Sequence, residues 1–232
     1  MSLYGWLILG TFLGPFALSF DKKVHFYTFW RALFPAITLV AIVFLIWDEY
    51  FTQNGIWGFN PDYLSGIFLG NLPLEEVSFF FVVPFACVFI YEVLKAYFPN
   101  VTMRKAGQIF AFTIVFSGLL FGSMNLQNWY TASACILAAI LTIGIYFIQR
   151  VPWFGSFTFA YLIAIVPFLL VNGVLTGAVT PEPVVWYSEN HIMGPRIITI
   201  PVEDLFYNYD MLIGVVWIYE RLKRVPMFGS SR

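Results

Sequence analysis

Apolar residues in this chain come in long runs broken by few charges. A membrane-crossing helix takes about 20 mostly apolar residues, and seven runs qualify, at roughly 3–20, 29–47, 77–95, 105–123, 130–148, 156–176 and 205–222. They are read as helices because backbone groups find no water partner in lipid. Two long stretches separate them, 48–76 and 177–204. Connections of that length are usually functional or disordered. The content of Gly55-Ile56-Trp57-Gly58-Phe59-Asn60 and Val185-Trp186-Tyr187-Ser188-Glu189-Asn190 argues for ordered segments that cover something.

The pattern repeats at a shift of 128 residues. Leu72-Pro73-Leu74-Glu75-Glu76 returns as Ile200-Pro201-Val202-Glu203-Asp204, and Tyr91-Glu92 with Lys95 returns as Tyr219-Glu220 with Lys223. The shift carries the first three runs onto the last three and leaves the fourth as a linker. The expected architecture is an all-α integral membrane protein with seven transmembrane helices. Two parallel three-helix repeats, 1–100 and 129–232, flank a linker helix in 101–128, with an axis along the membrane normal as in one class of transporter.

Charge sets the orientation. Lys22, Lys23, Arg31, Lys95, Arg104, Lys105, Arg150, Arg221, Lys223, Arg224 and Arg232 fall on one side and Arg196 alone on the other. Basic residues mark the inner side, so the N-terminus is expected outside and the C-terminus inside. The chain is 60% hydrophobic and 11% charged, against about 25% charged in a soluble domain. A net charge of −1 gives no reason to expect nucleic acid. Cys87 and Cys135 lie in apolar runs and form neither a disulfide framework nor a metal spacing. Sequence motifs for dinucleotides, phosphates or metals are missing, so no cofactor and no metal is expected.

The acids carry the candidate chemistry. Pro73 and Pro201 suit the first turn of a helix, which puts Glu75-Glu76 and Glu203-Asp204 in that same turn. Such acids are either caps facing outside water or buried groups. A carboxyl beside hydrocarbon is a functional hypothesis by default. Adjacent helical residues diverge by about 100°, so one member of each pair faces a central cavity, and Glu75 and Glu203 are favoured. Asp48, at the end of the second run, reads as a solvated loop acid or as a neutral or paired group, with Arg196 the available partner. Asn208 and Asp210 are expected to extend a hydrogen-bond network, and Asn172 lies one turn before Thr176, the repeat counterpart of Asp48. Glu92 and Glu220 read as surface ion pairs with Lys95 and Lys223, and His25 and His191 as structural.

Trp47-Asp48-Glu49-Tyr50-Phe51, the glycine-aromatic run 55–60, and Leu72-Pro73-Leu74-Glu75-Glu76 with Phe79-Phe80 together resemble the membrane-integral lycopene cyclase family. That family occurs as two heterodimeric subunits in some bacteria, as a fused chain in others, and fused to phytoene synthase in fungi. The chain is similar to the fused bacterial form over nearly its whole length. The resemblance implies a multi-pass protein of the bacterial inner membrane, surrounded by lipid. It would act on lycopene and other acyclic carotenoids, in possible association with other carotenoid-pathway enzymes. The implied reaction closes the acyclic ends to β-rings by acid–base isomerisation, giving β-carotene by way of γ-carotene. Glu75 and Glu203 are then the leading proton-transfer residues, with Glu76, Asp204 and Asp48 setting their charge state. Asn172, Asn208, Arg196, Phe79, Tyr207, Trp57 and Trp186 are the candidate substrate contacts.

Alternatives stay open at this level: a related enzyme that hydrates or elongates carotenoid ends, a carotenoid-binding protein, or a proton-coupled transporter. A transporter needs a polar path inward, and the third and seventh runs offer little beyond Asn208 and Asp210 before Glu92 and Glu220. A retinal-binding protein needs a lysine in the middle of the last run, where none occurs.

Overall fold

The computed structural model describes residues 2–224. Arg232, counted above among the inner basic residues, lies outside them. Each of the seven apolar runs is helical: α1 (Leu3–Leu18), α2 (Trp30–Gln53), α3 (Leu74–Tyr97), α4 (Arg104–Met124), α5 (Trp129–Thr142, continued by a π-helical segment Ile143–Ile148), α6 (Phe154–Leu175) and α7 (Glu203–Leu222). Five are long and apolar enough to cross a membrane, α2 to α6. α1 has 16 residues, and α7 carries Glu203, Asp204, Asp210, Glu220 and Arg221. α2 runs six residues past its expected end, so Asp48 sits inside the helix and is 1% exposed. That removes its reading as a solvated loop acid.

The two halves pack as exchanged triplets. α1 lies on α3 as α5 lies on α7, while α2 crosses onto α7 as α6 crosses onto α3. At the C-terminal ends of α3 and α7 the halves trade bonds. Tyr91 donates to Glu220 at 2.7 Å and Tyr219 to Glu92 at 2.9 Å, while Lys95 reaches Glu220 at 2.7 Å and Lys223 reaches Glu92 at 2.9 Å. The expected i, i+3 pair is present on α3, where Lys95 also reaches Glu92 at 3.4 Å, but the glutamates are not at the surface and their shorter bonds cross to the other helix. Both glutamates are buried and paired across α3 and α7, because a carboxylate facing the helix seam meets its partner lysine there before it meets water.

The long connections fold as short strands. β1 (Trp57–Phe59) pairs antiparallel with β4 (Val185–Tyr187), and the shift of 128 exchanges the Trp57–Tyr187 and Phe59–Val185 pairs about the central Gly58–Trp186 pair. Trp186 lies flat over Gly58, and a Cβ there would enter its indole. Two hairpins precede the acid helices, β2 (Phe68–Leu69) with β3 (Leu72–Pro73) and β5 (Arg196–Ile197) with β6 (Ile200–Pro201), in matching register. Pro73 is thus the residue before α3, extended at φ −66° and ψ 151°, and not a first-turn residue. Pro201 likewise ends its strand before α7.

The two hairpin turns differ in one respect. Gly70 has φ +67°, and its counterpart Ile198 holds φ +61° while 84% exposed. A β-branched residue in the left-handed region costs about 1–2 kcal/mol, and an exposed side chain recovers little of that. Ile198→Gly is expected to raise the thermal unfolding midpoint of the detergent-solubilised protein. An unchanged or lowered midpoint would show that the turn is not strained.

Candidate active site

Both acid pairs sit in the first turns of α3 and α7, at the same end of the bundle. The phase of each helix divides the pair, though not as expected. On α3, Glu76 and Phe79 face a cavity between the halves, and on α7, Asp204, Tyr207, Asn208 and Met211 do so. These spacings of three, four and seven mark one helix face. Glu75 and Glu203, one position earlier, turn away from it.

Glu75 and Glu203 have a common task. The Glu75 carboxylate accepts from the Ser2 hydroxyl at 2.5 Å and the Ser65 N–H at 2.7 Å. The Glu203 carboxylate accepts from the Thr131 hydroxyl at 2.5 Å and the Met193 N–H at 2.6 Å. Ser65 and Met193 are themselves 128 apart. Each glutamate therefore ties the start of a neighbouring helix, α1 or α5, to the loop before its own helix. The expectation that these two face the central cavity is corrected: the first-turn phase aims them at helix starts and loop amides.

Three other carboxyls converge on the cavity: Asp48, Glu76 and Asp204. Tyr4 donates to Glu76 at 2.6 Å. Asp204 accepts from Tyr130 and Asn172, each at 2.6 Å, and from Tyr187 at 3.0 Å. The Trp57 indole donates to Asp48 at 2.5 Å, and the second Asp48 oxygen is buried with no partner. Asp48 does not pair with Arg196, which binds Glu189 at 2.7 Å and the Thr199 carbonyl at 2.9 Å.

The cavity is small, about 50 Å³, and its upper wall is the β1–β4 pair through Trp57, Phe59, Val185 and Tyr187. The loops thus act as a cover. Burial and the adjacent Asp204 carboxyl push the Tyr187 phenol well above its ordinary value, so it stays a neutral donor through the physiological range. Tyr207 stands edge-on to Trp47 and Phe44 with centroids 5.0 Å away, and its hydroxyl is buried without a partner. The Asn208 amide is also unpartnered at the cavity wall.

Of the expected substrate contacts, Phe79, Tyr207, Trp57, Asn172 and Asn208 line this space. Arg196 is held in the β5–β6 hairpin, and Trp186 is 42% exposed on the outside of the cover. Asp210 is buried with both oxygens unpartnered, on another face of α7, so it and Asn208 do not build the expected network. Tyr4 and Tyr130 went unrecognised in the sequence because a tyrosine at a span end is common at any membrane interface, and Tyr187 was legible only as part of a covering segment.

Comparison with known families decides what this site belongs to. The family model described as lycopene cyclase matches residues 1–94 and 127–222. The chain belongs to the lycopene cyclase family. Asp48, both acid pairs and Asn172 lie within the matched segments, and the whole of α4 lies between them. The bifunctional lycopene cyclase/phytoene synthase of Gibberella fujikuroi is 30% identical over 131 residues, covering 50% of this chain and 22% of that protein. The Aspergillus niger protein of the same name is 22% identical over 170 residues, covering 68% and 27%. The Phaeosphaeria nodorum protein is 27% identical over 154 residues, covering 53% and 26%. The chain spans about a quarter of the length of these relatives. No solved structure matches it.

In this lycopene cyclase family member, Glu75 and Glu203 are expected to act as anchors. Glu75→Ala and Glu203→Ala each leave a loop N–H and a hydroxyl without an acceptor, a loss of about 1–3 kcal/mol. Both should lower the thermal unfolding midpoint and speed proteolysis near Ser65 or Met193. A midpoint equal to wild type in either variant would rule out the anchoring role.

Proposed function

We propose that the protein is a lycopene β-cyclase, an intramolecular lyase of the isomerase class. The observation that carries the reading is the convergence of Asp48, Glu76 and Asp204 on one covered, aromatic-walled cavity. The reaction needs a proton for the terminal alkene of an acyclic carotenoid, stabilisation for the tertiary cation that forms, and a base for the ring proton lost after the internal double bond attacks. One proton enters and one leaves, so the reaction is an isomerisation and calls for no redox cofactor.

Glu76 and Asp48 are the candidate donors, since each accepts a single hydrogen bond. Asp204 accepts three, which suits the group that takes the ring proton. Transfer from Asp204 back to Glu76 resets the pair. Trp57, Tyr130 and Tyr207 offer aromatic faces to the cation, and the β1–β4 cover keeps away water that would trap it. One cavity between the halves serves one end of the carotenoid at a time, so β-carotene forms by way of the one-ringed γ-carotene.

General acid–base steps are worth about 10²–10⁴ in rate. Glu76→Gln and Asp204→Asn are each expected to lose β-carotene and γ-carotene together in cells that accumulate lycopene, with protein levels matched. Glu75→Gln, which keeps an acceptor for Ser2 and Ser65, retains most activity. Near-normal β-carotene from both cavity variants would overturn the proposal.

We further propose seven membrane spans in two three-helix repeats, 1–100 and 129–232, about the linker 101–128, with the N-terminus outside, the acid cavity near the outer face, and a bacterial inner membrane as the site. The exchange of Tyr91, Glu92 and Lys95 with Tyr219, Glu220 and Lys223 supports the repeats, and the basic residues support the orientation. With Cys87 and Cys135 replaced by Ala, a cysteine at exposed Asn190 should react with an impermeant thiol reagent in intact spheroplasts, and one at Arg104 should not. The reverse order would invert the topology.

A further inference from the structure

An apolar groove of about 440 Å³ runs between α1, α3 and α6. Its walls extend from Trp6 to Pro15 on α1, from Phe79 to Ile90 on α3 and from Ala164 to Val171 on α6. Small side chains widen it, Gly10 on α1, Ala86 on α3 and Ala164 on α6. The one hydroxyl in its wall, that of Thr11, is already spent on the Leu7 carbonyl at 2.8 Å. Nothing in the lining asks for a polar ligand. Phe79 and Phe168 belong to the walls of both this groove and the acid cavity, so the two spaces meet at those rings.

We propose that this groove seats the polyene arm of the acyclic carotenoid whose end enters the acid cavity. The proposal rests on the cyclase reading above. Three features commit the groove to this occupant. It is apolar along its length, it ends at the Phe79 and Phe168 rings that wall the acid cavity, and it has the right reach. From Phe79 to Ile90, α3 rises about 16 Å at 1.5 Å per residue, roughly half of a hydrocarbon core about 30 Å thick. Lycopene is about as long as that core is thick, so one arm fills the groove and the other lies in lipid. The acid cavity alone, at about 50 Å³, holds only a few waters. An end group enters it as the Phe79 and Phe168 rings give way toward the groove.

The counterpart seam in the other half is closed. At the shift of 128, Gly10 becomes Ala138 and Ala164 corresponds to Ala36, both 0% exposed, and Val40, the counterpart of Phe168, packs within 3.5 Å of where a Gly214 Cβ would stand. Two acid pairs therefore share a single polyene seat, and the second ring requires the molecule to leave and return by its other end.

Gly10→Trp tests this, since a side chain there projects into open space with nothing within 4 Å of its Cβ. Lycopene bound to the full chain in phospholipid nanodiscs should show an induced circular-dichroism band in the visible region. Excluding several methylene-sized units from an apolar seat costs more than roughly tenfold in affinity. Gly10→Trp is therefore expected to lower both that band and the cyclisation rate by at least about tenfold. Ile109→Trp, on the exposed face of α4, keeps both. Ala86→Phe enters the same space from α3 and guards against misfolding of one variant. Rings formed normally, with an unchanged band, by both groove variants would overturn the seat while leaving the cyclase reading intact. A wild-type band that Gly10→Trp abolishes, with no ring formation even by the wild-type protein, would support the seat and sink the cyclase reading. No band in wild type would count against the seat.

Discussion

A carboxyl taken out of water must collect its hydrogen bonds from its own chain, because hydrocarbon supplies none. In this protein that demand shapes the end of the bundle where α3 and α7 begin. Glu75 and Glu203 draw in the starts of α1 and α5 together with the loops before α3 and α7. Asp204 draws donors from α5, α6 and the second loop, Glu76 takes one from α1, and Asp48 takes one from the first loop. Five acids thus recruit donors from most elements at that end. The opposite end uses the same logic with lysines and tyrosines, so α3 and α7 are clamped at both ends with an apolar seam between.

The repeat supplies the frame and the departures from it supply the site. Hairpin register, the loop amides on Glu75 and Glu203 and the exchange at the opposite end all obey the shift of 128. The cavity does not. Asp48 corresponds to Thr176, whose hydroxyl turns back to the Asn172 carbonyl. Asn172 corresponds to Phe44, Tyr207 to Phe79 and Asn208 to Phe80. The tyrosines on the two inner acids come from similar places but different registers, Tyr4 lying 72 residues before Glu76 and Tyr130 lying 74 before Asp204. Polar character is gathered in the second half, with Asp48 and Glu76 opposing it from the first. A symmetric site would present like carboxyls in like surroundings. This arrangement gives Glu76 one donor and Asp204 three, so two carboxyls facing one cavity sit in unlike surroundings.

Much of this was legible in the sequence. The apolar runs located all seven α-helices of the described residues, five of them long and apolar enough to cross a membrane, and the repeated proline–acid–acid element located the cavity acids. Which acid of each pair faces inward was not legible. The answer depends on where a helix begins relative to its hairpin, and a difference of one residue rotates the choice by about 100°. α3 begins at Leu74 and α7 at Glu203, boundaries that rest on hairpin pairing rather than on hydrophobicity. Asp48 was misplaced for a related reason. Polar residues 48–53 look like loop, yet α2 continues through them because Asp48 and Phe51 are buried under the β1–β4 cover. The cover itself is a long-range pairing, which no local pattern encodes.

That pairing also bears on how the site meets its surroundings. β1 and β4 come from different halves and join across the pseudo-axis, with a glycine at the crossing that lets Trp186 lie flat. The inner face of this ribbon contributes Trp57, which holds Asp48, and Tyr187, which holds Asp204. The same residues therefore close the cavity to the aqueous side and orient its acids. Opening the cover to water would take from Asp48 its one donor, Trp57, and from Asp204 one of three, Tyr187. Access from the water side thus disturbs the site, whereas the wall at Phe79 and Phe168 holds no partner of any cavity acid. An apolar molecule arriving through that wall from the lipid side leaves every acid–donor contact in place, and this direction of approach keeps the acids positioned while the ligand enters.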